Sequence, residues 1–251
     1  MKDASGHEHV GKGSPQGGQF GKGGGGDGGA AEKAHHGHEP GTENKSKETE
    51  SEADKGIDKE KPLKPETFEE AKAIHSKMDH QWRLDTTIEE MRAIKSYTGD
   101  GHAKINEDLR NGEKIELGSE TDHISNALDK AQSKESMITY RGVDSKGIAK
   151  LGLRPENAIG TKITDPGFLS MSLFHEIANS FSQSNGAVFE IHVPKGSKAA
   201  SVGRMTENPE ELEIIAQRGS TLRITKVEHR EFTMFLGNKV NKAVYHAELE
   251  Q

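Results

Sequence analysis

Over its first 61 residues the chain carries only four bulky apolar side chains: Met1, Val10, Phe20 and Ile57. The same stretch holds 15 of the 29 glycines. A segment so poor in apolar surface cannot offset the entropy of ordering its backbone, so it is expected to be disordered. Whatever folds must therefore do so in the rest of the 251 residues. We place the boundary at 1–65 for a glycine-rich and charged tail and 66–251 for one domain, long enough to bury a real core. The formal net charge is −7 and no basic stripe stands out, which argues against nucleic acid as the main partner. The absence of cysteine removes disulfides, thiolate metal sites and a cysteine nucleophile together. The first 30 residues show no apolar core of a Sec-type signal peptide, and no apolar run reaches the ~20 residues of a membrane helix.

Within the tail, the histidines of "HHGH" at 35–38 lack the carboxylate or thiolate pattern of a metal site. The domain opens with helical signals. Thr67 with Glu70, and Thr87 with Glu90, have the spacing of capping boxes. Ile88, Met91, Ile94 and Tyr97 follow at helical spacing and read as core, and the pairs Ile105/Leu109 and Ile124/Leu128 mark two further helices. From residue 137 the pattern changes to short apolar runs broken by Gly, Pro or Asn: "MITYRGV", "GFLSMSL", "GAVFEIHVP", "ELEIIAQ", "STLRITKVEH" and "NKAVYHAEL". Helices first and strands later predict an α+β domain rather than a βαβ repeat. No dinucleotide-binding or P-loop glycine pattern is present.

The stretch "EELEIIAQRGS" at 210–220 poses a question. In a strand, Glu211 and Glu213 would point to one face while Leu212 and Ile214 point to the other, into a core. The two carboxylates would then line either a solvated edge or a cleft, and this stretch alone leaves both readings open. Arg141 ends "TYRG", and Ser170 and Ser172 sit in "FLSMS". Taken singly, a strand-end arginine is ordinarily a surface charge and strand serines are ordinarily filler.

In order and setting, Arg141, Ser170-x-Ser172 and Glu211-x-Glu213 resemble the Arg, Ser-x-Ser, Glu-x-Glu signature of bacterial exoenzyme-type mono-ADP-ribosyltransferases. "SYTGDGHAKINEDLR" at 96–110 is similar to the family's NAD-contacting helix, and "GFLSMSL" to its aromatic-Ser-Thr-Ser strand, with Met171 in place of Thr. Phe181 stands where the family keeps an aromatic that packs on nicotinamide. "VPKGSKAA" resembles the strand exit before the substrate loop. The resemblance runs from about residue 67 to 249. It implies an ADP-ribosyltransferase-like fold, with N-terminal helices on a mixed two-sheet β core. Separately, "GSPQGGQFGKGGGG" resembles short segments of tailed-phage structural proteins and hints at a phage or prophage origin.

The family chemistry needs these residue types. Cleaving the nicotinamide–ribose bond develops positive charge on the ribose, which a fixed carboxylate stabilises. By resemblance that carboxylate is Glu213, with Ser170 fixing its rotamer. Arg141 offers a planar fork to the NAD phosphates. Asn106, Arg110, Phe181 and Ser172 are expected among the NAD contacts, and Glu211 engages the acceptor. Glu rather than Gln at 211 implies an acceptor arginine. Departures are Asn208, where many members have an aromatic, and Ser184, where several place a basic residue. The spacing from Tyr97 to Asn106 also departs, so Tyr97 and Thr98 are assigned no contact. The expectation is a monomeric transferase using NAD and no metal, acting on a protein arginine without nucleic acid or membrane. The alternatives are NAD hydrolysis by the same cleft, and a phage structural protein with an inactive domain.

Overall fold

The computed structural model describes residues 61–234 and 237–251. The expectations for the tail, including the histidines at 35–38, lie outside these residues. Four helices come first: α1 (Phe68–Arg83), α2 (Ile88–Ser96), α3 (His102–Arg110) and α4 (Glu120–Lys130). Thr87 and Glu90 form the expected reciprocal capping box. At α1 only half of the box forms: Thr67 accepts from Glu70 N, while the Glu70 carboxylate turns back to the amide of Glu66. The inward faces of these helices bring Ile94, Tyr97, Ile105, Leu109, Ile124 and Leu128 into one cluster with Phe168, Val202 and Ile215. Ile88, expected in this core, is 59% exposed as the first residue of α2.

The strands are β1 (Met137–Val143), β2 (Lys162–Thr164), β3 (Leu169–Ser172), β4 (Ala187–Val193), β5 (Ala199–Ser201), β6 (Glu213–Ala216), β7 (Thr221–Thr233) and β8 (Lys239–Glu250). They form a mixed ladder in the order β2-β7-β8-β4-β1-β3-β6-β5, parallel only between β4 and β8. β1 pairs with β4 along its whole length, yet its join to β3 rests on a single register pair, Tyr140 with Ser172. The β core is thus a five-stranded and a three-stranded part meeting at a narrow seam. β2 and β5, three residues each, carry no alternation of their own in the sequence and are placed by their neighbours.

Two short helices, α5 (Ser145–Leu151) and α6 (His175–Phe181), complete the domain. α6 lies directly on β1: a Cβ at Gly142 would come within 1.8 Å of the Ala178 carbonyl oxygen, so only glycine permits this approach. Among the described residues no helix is long and apolar enough to cross a membrane.

The chain joins the fold before α1. Leu63 bridges to Met137, its amide donating to Ser136 O and its carbonyl accepting from Ile138 N. Lys64 pairs with the largely buried Glu190 at 2.7 Å. Truncation should locate the start of the folding unit. A chain beginning at Lys61 should melt like the full chain. One beginning at Glu66 should lose about 1–3 kcal/mol, from two backbone hydrogen bonds and the Lys64–Glu190 ion pair, with Arg230 still facing Glu190 at 3.4 Å. Thermal unfolding of both truncations checks this, and equal melting would place the boundary at residue 66.

Candidate active site

The seam between β1 and β3 collects the polar residues singled out in the sequence. Glu213 opens β6 and pairs across the ladder with Ser172. Its carboxyl is 8% exposed. Burial pushes it up to about 7; the Ser170 hydroxyl bonded to it and the Arg141 charge pull it down, while Glu211 adds to the rise. The Arg141 guanidinium is 6% exposed and donates through Nη1 to the Ser170 carbonyl, so it ties β1 to β3 where the ladder is thinnest. The charges acting on Arg141 are those of Asp165 and, more weakly, Glu213 in its favour, and Arg110 against it.

A line of hydroxyls leads to Glu213 from behind. Asn106 Nδ2 donates to Tyr97 OH at 3.0 Å, and Tyr97 OH lies 3.2 Å from Ser170 Oγ. Burial pushes the Tyr97 phenol up to about 12, so it stays a neutral hydrogen-bonding group. Tyr97 is fully buried at the start of a wide turn, Tyr97–Gly101, whose kink at Gly99 joins α2 to α3. Sequence reasoning assigned Tyr97 to the core and gave it no contact. Its position at a helical apolar spacing concealed the hydroxyl's role.

Asn106 and Arg110, expected at NAD, have their polar ends engaged inside the protein. Asn106 Oδ1 accepts from Phe168 N at 2.8 Å. Arg110 closes a bidentate pair on Asp165, Nε to Oδ1 at 2.9 Å and Nη2 to Oδ2 at 2.8 Å. Asp165 is completely buried and also accepts from Gly167 N. At four-residue spacing on one face of α3, the two side chains hold the segment 165–168 that feeds β3. Asp165 was not singled out in the sequence, where "TDPGF" reads as a turn. The Ser172 hydroxyl also has internal partners: it donates to Glu211 O at 2.8 Å and accepts from Phe174 N.

Glu211 is not on a strand. Pro209–Glu211 form a tight 3-10 turn, and Leu212 follows in the left-handed region at φ 48°. Proline sets the turn's first residue, and the left-handed step then turns the chain into β6. Leu212 and Ile214 do share the main core, as the alternation predicts. Glu211 therefore sits on a separate turn ahead of Glu213. Burial pushes its carboxyl up. Phe181, on the last turn of α6, is half exposed. Among the described residues no group of three or more His, Cys, Asp or Glu side chains could hold a metal ion. The arrangement offers a buried, adjustable carboxylate beside a buried cation, a second carboxylate on a nearby turn and an exposed aromatic ring. It can stabilise a developing positive charge beside a bound phosphate ester.

Comparison with known proteins agrees with this geometry. A family model described as "ADP-ribosyltransferase exoenzyme" matches residues 71–250. A curated Enterococcus faecalis protein, NAD(+)--arginine ADP-ribosyltransferase EFV, is 28% identical over 148 residues, 55% of this chain. The match spans 29% of that relative's length. Among solved structures, Plx2a, an ADP-ribosyltransferase toxin from Paenibacillus larvae, is 24% identical with a TM-score of 0.62, over 73% of this chain and 96% of that one. The ADP-ribosylating toxin BECa of a binary enterotoxin of C. perfringens, solved with NADH, is 25% identical with a TM-score of 0.57, over 72% of this chain and 48% of that one.

The raised Glu213 carboxyl predicts a pH-dependent stability. In the unfolded chain the group ionises near the ordinary glutamate value, but in the fold it holds its proton to about pH 7. Its favourable contribution is therefore complete at acid pH and is lost as pH rises through 7, at a cost of roughly 3 kcal/mol. Glu213→Gln removes that titration. Relative to wild type, the variant should gain stability from pH 5 to pH 8, as measured by denaturant unfolding at both. A constant difference would show that Glu213 is not held protonated by burial.

Proposed function

The chain belongs to the ADP-ribosyltransferase exoenzyme family, and on that premise we propose that it is a mono-ADP-ribosyltransferase moving ADP-ribose from NAD to an arginine of a target protein. The observation that carries this reading is the buried Glu213 carboxyl, hydrogen-bonded to Ser170 and close enough to Arg141 to feel its charge. As the nicotinamide leaves, positive charge develops on the ribose. A carboxylate fixed in a dry site stabilises that charge more than it stabilises neutral ribose. Arg141 brings positive charge for the phosphates, and the half-exposed ring of Phe181 is a platform for nicotinamide.

The acceptor assignment rests on Glu211 and on the name of the Enterococcus relative. A carboxylate at the end of the 209–211 turn can orient a guanidinium and partly neutralise it. The target is thus a protein, with no call for nucleic acid or membrane, and the domain acts as a monomer.

Two variants separate the roles. Glu213→Gln should lower kcat about 10²–10³-fold for nicotinamide release and for protein labelling alike. Glu211→Gln should abolish labelling of arginine while sparing slow hydrolysis of NAD by water. Labelled NAD with a protein acceptor, followed by mass spectrometry of the modified side chain, reads both. Normal activity in Glu213→Gln overturns the enzyme assignment. Nicotinamide release without any labelling points to an NAD glycohydrolase.

The active form needs Glu213 ionised, so kcat/KM for NAD should fall as pH drops below about 7 in the wild-type chain. A flat profile from pH 5.5 to 8 would remove the titrating carboxylate from the rate.

A further inference from the structure

Behind the strand that carries Glu213 lies a histidine from the far end of the sequence. His75 sits in the middle of α1, 138 residues before Glu213, and is 3% exposed. Its Nε2 lies 2.9 Å from the Glu213 carbonyl oxygen. In return, the His75 carbonyl accepts from Ser201 Oγ at 2.9 Å. About two turns on, Trp82 Nε1 donates to Ser201 O at 2.7 Å. Between them, a Cβ on Gly203 would come within 2.7 Å of Asp79 Cγ, so this face of α1 lies flush on the chain that follows β5. Three side-chain hydrogen bonds therefore fasten α1 to the β5–β6 edge, one of them on the main chain of Glu213 itself.

We infer that His75 is a positioning residue for Glu213: its Nε2–H holds the Glu213 carbonyl and thereby the Cα from which the carboxylate reaches the ribose. This rests on the transferase reading above. The main chain of Glu213 is gripped on one edge by pairing with Ser172 and on the other by Val202 N, which donates to the same carbonyl at 3.1 Å. β6 is four residues long and Glu213 is its first, directly after the left-handed Leu212. A strand end next to such a turn has the fewest ladder bonds to resist displacement. A shift of about 1 Å in a charge-stabilising group can cost roughly 10²-fold in rate, so an added donor at this atom bears on catalysis. The tautomer follows from the surroundings. Burial lowers the imidazole below its ordinary value, against the opposing effects of the Glu213 carbonyl and Asp79, so the ring is neutral. A neutral ring facing a carbonyl oxygen carries its hydrogen on that nitrogen.

The test pairs two substitutions with one spectrum of the wild-type chain. His75→Leu removes the donor and keeps an apolar filling. It should lower kcat for NAD cleavage about 10–100-fold per folded molecule, with KM for NAD changed less than about threefold. His75→Gln can place an amide N–H near the same carbonyl and should restore kcat to within about threefold of wild type. A purely structural role predicts otherwise: lower melting temperature in both variants, with kcat per folded molecule unchanged. Imidazole proton–nitrogen NMR should show a slowly exchanging His75 Nε2–H. An Nδ1–H tautomer, wild-type kcat in His75→Leu, or no rescue by His75→Gln overturns the inference. If His75→Leu fails to fold, the spectrum and the glutamine variant still decide. The two readings fail differently: an inactive wild-type chain overturns the transferase reading and this role with it, whereas an active wild type beside an unaffected His75→Leu overturns only the role of His75.

Discussion

A carboxyl group buried at the join of two sheet halves is the constraint around which this domain is arranged. Glu213 could not ionise there without help, because moving a carboxylate out of water costs several kcal/mol even in a relaxed protein. The help is Ser170 on one side and the Arg141 charge on the other. Arg141 is itself buried and must be offset in turn. Asp165 does this, and Arg110 closes on Asp165. Glutamate, arginine, aspartate and arginine thus alternate in sign from β6 through β1 to α3. Such a network is weak evidence for stability, since apolar side chains of similar volume often do as well. What it supplies is geometry: each charge is placed by the next, and the last pair is bidentate.

The neutral groups work to the same end. Tyr97, Asn106 and Ser170 pass hydrogen bonds inward with no ionised member, so they add direction without adding a charge to be solvated. The break at Gly99 matters here. A regular helix through 97–101 would run α2 straight into α3. The wide turn instead lets both helices contribute to the same point, Tyr97 at the end of one and Asn106 from the second turn of the other.

The sequence made the helix layer legible because each helix carries its own periodicity and caps. It made the ends of the longer strands legible for the same local reason. β2 and β5 escaped because three residues hold no period. α6 escaped because its seven residues make only about two turns, pressed onto Gly142. At the site, Arg141, Ser170 and Glu213 could be singled out by residue type and order, and the structure brings these three together. For Asn106, Arg110 and Ser172 the internal partners could not be read in the same way. Each is a polar residue at a position where a ligand contact and an internal contact look identical in one dimension. The internal contacts depend on Asp165, Phe168 and Glu211, residues 39 to 62 positions away. His75 and Tyr97 were hidden for the opposite reason: both lie on helix faces that local pattern assigns to packing.

The two glutamates of "EELEI" show how backbone conformation separates functions that spacing alone would merge. In an uninterrupted strand, Glu211 and Glu213 would be equivalent, side by side on one face and repelling each other. The left-handed residue between them breaks that equivalence. Left-handed backbone costs a leucine roughly 1–2 kcal/mol relative to glycine. The position nonetheless needs a large apolar side chain, because Leu212 is 1% exposed in the main core, and a glycine would forfeit that burial. The strain is therefore held in place by the core beneath it, and the Ser172 hydroxyl holds the Glu211 carbonyl above it. One carboxylate ends in the ladder, dry and beside Arg141. The other ends on a turn, less buried, with its carboxyl raised by burial. A single residue forced out of extended geometry turns a repeated glutamate into two groups with different charge environments, which is what a site with a donor side and an acceptor side requires.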